Sequence, residues 1–150
     1  MKKRIALMVC AALCALALTG CGGGPASVEA PAQAQKVDLD LTALSSTMVY
    51  AEVYDIVGDP AAHVGQTIRI RGPYYAMSDA ALGTHYSFVV VEDATACCQQ
   101  GIEVVLNGEH VWPDDYPQND QQVEVTGTYG SYQEEGITYY CIFTDEFKVL

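Results

Sequence analysis

Two stretches of the chain carry the same pattern. In Thr67–Tyr75, the residues Ile68, Ile70, Gly72 and Tyr74 alternate with Thr67, Arg69, Arg71 and Pro73; in Gln121–Tyr129, Val123, Val125, Gly127 and Tyr129 alternate with Gln122, Glu124, Thr126 and Thr128. A period of two with one apolar face is the mark of a half-buried β-strand. Each stretch also places a glycine on its inward side. Glycine inside a strand marks a bend or the close approach of another backbone. Two such strands predict a sheet that curls strongly, as in a small barrel.

Three further segments complete the count. Tyr86–Glu92 is apolar on both faces, with Tyr86, Phe88 and Val90 against Val89 and Val91; Ile102–Leu106 is followed by the turn signal Asn107-Gly108; Ile137–Thr144 is the fifth strand, with Phe147–Leu150 as a short continuation. Ahead of them Thr47–Val57 sets Val49, Val53, Ile56 and Val57 at helical spacing, with Ser46 or Thr47 as N-cap and Gly58-Asp59-Pro60 as the stop. The expected fold is all-β, a small five-stranded OB-like barrel preceded by a short α-helix. An open β-sandwich is the alternative.

The start of the chain has a different character. Met1–Arg4 holds three of the seven basic residues, and Ile5–Leu18 is almost purely apolar. That segment is too short for the ~20 apolar residues of a membrane span and reads as an export signal. Leu18-Thr19-Gly20-Cys21 resembles the lipobox of bacterial lipoproteins, which implies cleavage before Cys21 and acylation of that residue. Two or three acyl chains hold a protein stably at a membrane. The expected organisation is therefore a signal peptide over 1–20, a lipid-anchored flexible tether over 21–46 and the barrel over 47–150. The tether is rich in Gly, Ala, Pro, Ser and Gln, though Asp38–Leu44 alternates weakly, a pattern compatible with packing on the domain. Without the signal, four basic residues face all 19 acidic ones, a net charge of about −15. Phosphate backbones repel such a chain, and Arg69 with Arg71 is too small a basic patch to offset it. Nucleic acid is not an expected partner.

The segment from Tyr54-Asp55-Ile56 through Pro60 to Gly65-Gln66-Thr67-Ile68-Arg69-Ile70-Arg71-Gly72 resembles the opening of small OB-fold domains in exported bacterial proteins of unassigned role. The stretch Phe88–Val105, with Cys97-Cys98-Gln99-Gln100-Gly101-Ile102-Glu103, is similar to a Cys-Cys stretch in such lipoproteins and to the C-terminal domain of permease-associated proteins. The resemblance covers roughly residues 48–129. It implies an OB-like fold and an envelope setting, and brings no activity with it.

Beyond Cys21 the exported part holds Cys97, Cys98 and Cys141, an odd number. Three readings stay open. One is a stapling disulfide, Cys141 with Cys98 or Cys97, since the third and fifth strands of such a barrel are neighbours and exported thiols usually oxidise. Another is a metal site in which Cys97, Cys98 and Cys141, with His85, hold Zn²⁺ or Cu⁺. Because neighbouring side chains on a strand point apart, that site needs a turn at Ala96–Gln99. The last is a redox pair, vicinal or with Cys141.

Other chemistry is sparse. No Gly-x-Ser-x-Gly, His-Glu-x-x-His or phosphate-binding glycine loop is present. The pairs Asp114-Asp115, Glu134-Glu135 and Asp145-Glu146 read as solvated turns without EF-hand spacing. His63 and His110 fall in loops; His85 and His110 are candidates to meet at one barrel end, and Trp112 to cap one. Ten tyrosines suit a half-wet binding surface, for which Tyr75, Tyr132 and Tyr140 are the candidates, while Tyr74, Tyr129 and Tyr139 have core parity. The expectation is a membrane-anchored lipoprotein of the cell envelope, a binding or accessory module without catalysis that contacts an envelope protein. The alternative is a metal-binding lipoprotein built on the cysteines.

Overall fold

A computed structural model describes residues 36–79 and 83–150. The expected signal peptide, Cys21 and the tether up to residue 35 lie outside the described residues. Within them the elements run β1 (Leu39–Asp40), a 3-10 turn (Leu41–Ala43), α1 (Ser46–Gly58), α2 (Pro60–His63), β2 (Thr67–Asp79), β3 (Thr84–Glu92), β4 (Gln99–Leu106), β5 (Gln122–Glu134), β6 (Ile137–Thr144) and β7 (Lys148–Val149).

Five strands close on themselves in the order β2-β3-β4-β6-β5, with β5 returning to β2. Every neighbour in that ring is antiparallel except β4 and β6. Counting ring strands alone, the order is 1-2-3-5-4-1, an OB-like Greek-key barrel. The expected all-β barrel and its leading helix are what the chain forms.

The two glycine-bearing strands explain how so few strands close. β2 pairs with β5 over Thr67–Pro73 and with β3 over Tyr74–Asp79, so it serves two neighbours on successive halves. A Cβ on Gly72 would strike the Val90 carbonyl oxygen, and one on Gly127 would strike the Phe143 carbonyl oxygen. No other residue lets those backbones approach. The alternating residues Ile68, Ile70, Tyr74, Val123, Val125 and Tyr129 fill the interior, with Val89 and Ile142. Each buried aliphatic side chain contributes roughly 1.5–3 kcal/mol of transfer free energy. The Tyr74 hydroxyl, inside the barrel, shares a 2.8 Å hydrogen bond with Ser87 Oγ, so its polar tip is satisfied.

α1 packs against β3 and β4 and presents Val53 and Ile56, both fully buried. Val57, expected on the same face, stands 45% exposed. The N-cap is Ser45, one residue before the expected position, and its side chain makes no capping bond. Asp38–Leu44 belongs to the domain: Leu39 and Asp40 pair in parallel with Ile68 and Arg69, and Leu41 is buried. The other end is capped by the connection from β4 to β5. There His85 stacks on Trp112 at 4.6 Å between centroids, and Tyr116 meets His85 at 4.9 Å and His110 at 6.4 Å. No helix among the described residues is long and apolar enough to cross a membrane.

Candidate functional site

The cysteines do not come together. Cys97 and Cys98 are exposed in the loop before β4, Cys141 is buried on β6, and all three are free thiols. β4 and β6 are neighbours as expected, but Cys141 pairs with Glu103, five residues beyond Cys98. At about 3.3 Å per residue that is roughly 16 Å along the strand, whereas a disulfide needs Cα atoms within about 7 Å. The Cys98–Cys141 bridge is therefore not formed. His85 is equally remote: Glu92 pairs with Gln99, so Cys98 lies at the far end of β3 from His85. Among the described residues no three or more His, Cys, Asp or Glu side chains are placed to hold a metal ion. The expected set of Cys97, Cys98, Cys141 and His85 is thus dispersed over the barrel.

What the fold does assemble is an apolar outer face. Residues opposite one another in a sheet share a face, so the pairings Tyr75–Phe88, Phe88–Glu103 and Glu103–Cys141 define one outward row. The row beside it runs Met77, Tyr86, Val105 and Phe143. Tyr75 is 47% exposed and Met77 55%, at the β2 edge of this face. The Phe88 ring lies over Gly101 and the Phe143 ring over Gly130, each covering a stretch of strand that has no side chain of its own.

The β5–β6 hairpin leans over the centre of the face. Pairing between β4 and β6 begins only at Cys141, so the far end of the hairpin is released from the ring. There Tyr132 stacks on Tyr139 at 5.5 Å. The Tyr132 hydroxyl donates to Glu103 Oε1 at 2.7 Å, and the Tyr86 hydroxyl donates to Glu134 Oε2 at 2.9 Å. These two bonds tie the hairpin across to β4 and β3. Glu103 and Cys141 point outward, yet under this cover they are buried.

Burial sets the protonation of the group. It pushes the Glu103 carboxyl above the ordinary range, against the Tyr132 hydrogen bond and with the Glu134 charge. The Cys141 thiol is pushed up to about 12, by burial first and then by Glu103. The Tyr132 phenol rises well beyond its usual range, by burial and by its bond to Glu103. A thiol held protonated is not a nucleophile, since the thiolate is the reactive form. With Glu103 and Cys141 covered, the apolar contact this face offers lies at its β2 edge, at Tyr75 and Met77.

The opposite outer surface, on β2 and β5, is built differently. Glu124 is also buried, but Arg71 Nη2 approaches it at 2.6 Å, Arg69 Nη2 at 3.3 Å and Lys148 Nζ at 3.4 Å. The Arg71 hydrogen bond holds its carboxyl below the usual range. The two arginines that the sequence sets side by side thus converge on one carboxylate.

Of the candidate surface tyrosines, Tyr75 and Tyr132 lie on the apolar face. Tyr140 does not: it stacks on Tyr129 at 6.4 Å and packs on the core. Tyr139, expected inside, faces outward beside Tyr132. The acidic pairs Asp114-Asp115 and Asp145-Glu146 meet at one groove of about 470 Å³ beside His110 and Phe147. Glu103 escaped the sequence reading, although a single charge inside the apolar run Ile102–Leu106 was a visible signal.

No protein-family model matches the chain, and no curated protein matches it.

Proposed function

We propose that the chain is a lipid-anchored extracytoplasmic binding module with no catalysis of its own, whose apolar outer face contacts a protein partner in the cell envelope. The observation that carries this reading is the exposed β2 edge of the apolar row, Tyr75 with Met77 beside it, continuing through Phe88 to the covered Glu103 and Cys141. Aromatic side chains on a fixed sheet offer large contact area at low entropic cost and methionine adds adaptable apolar contact, which is the chemistry of protein interfaces. Cys141, its thiol pushed up to about 12 by burial, offers no thiolate at neutral pH, in keeping with a binding role. The envelope setting rests on the export signal, the lipobox-like Leu18–Cys21 and the resemblance to exported OB-like lipoproteins.

Two variants of the full chain test it. Cys21→Ala is expected to move the protein from the membrane to the soluble fraction after export. Tyr75→Asp with Met77→Asp is expected to leave the thermal midpoint unchanged and to abolish co-purification of the envelope partner. A membrane-bound Cys21→Ala protein contradicts the anchor. A double variant that keeps its partner contradicts the face.

A further inference from the structure

The loop between β3 and β4 has no part in the apolar face, and its geometry is specific. Asp93 organises it. The Asp93 N–H donates to the Cys98 carbonyl at 3.0 Å, and the Ala96 N–H donates to the Asp93 carbonyl at 3.0 Å. Ala96 takes a positive φ of 54°. The amide groups of Cys97 and Cys98 both donate to one oxygen, Asp93 Oδ1, at 2.8 and 3.3 Å. In an extended chain successive N–H groups point in opposite directions, as successive side chains do. Two that converge on a single acceptor require the chain to turn at Cys97–Cys98. The turn expected at Ala96–Gln99 is therefore present, and Asp93 fixes it.

We propose that Cys97 and Cys98 form a two-thiolate site for a soft, two-coordinate cation of the Cu(I) class. Both thiols are exposed. A direct bond between them is disfavoured: adjacent Cα atoms stand about 3.8 Å apart across a trans peptide, below the roughly 4.4–6.8 Å usual for disulfides. A bridging metal closes a larger ring and relieves that constraint. The donor count selects the ion. Zn²⁺ in a closed protein site takes four ligands, and among the described residues no group of three or more His, Cys, Asp or Glu is placed to hold a metal ion. Cu(I) is soft and prefers thiolate donors. Glu92 and Asp93 beside the pair add a negative field that favours a cation. On binding, each thiol releases its proton to solvent, two Cu–S bonds form, and the metal remains Cu(I), so no electron is transferred. The proposal stands apart from the apolar face, and failure of one leaves the other intact.

The test uses the full chain carrying Cys10→Ser, Cys14→Ser and Cys21→Ser, reduced and kept anaerobic, and titrates it into the coloured Cu(I)–bicinchoninate complex. The expected result is transfer of one Cu(I) per chain. Cys97→Ser and Cys98→Ser should each weaken binding by roughly a hundredfold or more, and Cys141→Ser should change nothing. A Zn(II) dye under the same conditions should lose no stoichiometric metal to the protein. As a check on folded protein, blocking the exposed pair with methyl methanethiosulfonate should abolish transfer, and dithiothreitol should restore it. Transfer to the blocked protein, equal binding by Cys97→Ser, a requirement for Cys141, stoichiometric Zn(II) uptake, or no transfer at all overturns the proposal.

Discussion

Glu103 and Glu124 are the same residue in matching places: each points outward from a barrel strand, and each is buried, at 9% and 6% exposure. Their surroundings are opposite. Glu124 is covered by Arg69, Arg71 and Lys148, whereas Glu103 is covered by aromatic rings and receives one hydroxyl, that of Tyr132. Burial alone therefore does not set the state of a carboxylate; the covering groups do. On the β2–β5 side the cover is cationic and self-sufficient. On the β3–β4–β6 side it is apolar and continues into exposed Tyr75 and Met77, so that surface still has contact to offer.

The largest expected effect lies on the cationic side. Glu124→Ala removes the carboxylate that Arg69, Arg71 and Lys148 share, leaving Arg69 its 3.7 Å pair with Asp40, and should cost about 2–3 kcal/mol, below the range for a fully buried pair because the partners are partly exposed. Urea denaturation measures it. Tyr132→Phe should cost about 1–2 kcal/mol by removing the donor to Glu103, and it should raise the Glu103 pKa further. Denaturation at several pH values would register both effects.

The pH dependence of stability should differ in sign between the two carboxylates. Glu124 has a lowered folded pKa, so its stabilisation is present above the ordinary carboxylate range and is lost as pH falls through the lowered value. Glu103 has a raised folded pKa, so its contribution is complete below the ordinary range and is lost as pH rises through the raised value. Glu103→Gln keeps an acceptor for Tyr132 and should remove the loss that begins above the ordinary carboxylate range, leaving the acid limb and the alkaline loss from Cys141 and Tyr129. The comparison breaks if Glu103→Gln alters the acid limb instead. The smallest effect is on reactivity: a thiol reagent on the native barrel should modify Cys97 and Cys98 quickly and Cys141 only after unfolding.

Particular residues show what was legible. The alternation in Thr67–Tyr75 and Gln121–Tyr129 and the glycines at 72 and 127 carried the strands, their inward faces and the closure. All of these are local properties of a period-two chain. Tyr86–Glu92 reads as apolar on both faces, and in the fold its outer residues Tyr86 and Phe88 belong to the apolar face. Register was not legible. That β4 and β6 are neighbours follows from topology, but that Cys141 meets Glu103 and not Cys98 depends on how far one strand slides along another. The same long-range geometry folds the β5–β6 hairpin over β4, turning Tyr139 outward and burying Glu103. Asp93, which sets the turn at the cysteines, acts through backbone bonds that no side-chain spacing reveals.

Inside the cell the two faces can be set directly against each other. A photo-crosslinking amino acid is placed at Met77 on the apolar face, and separately at Arg71 beside Glu124, in the exported, anchored chain. A discrete crosslinked envelope protein is expected from position 77 and none from position 71. Equal crosslinking from both positions, or crosslinking from position 71 alone, would contradict that expectation.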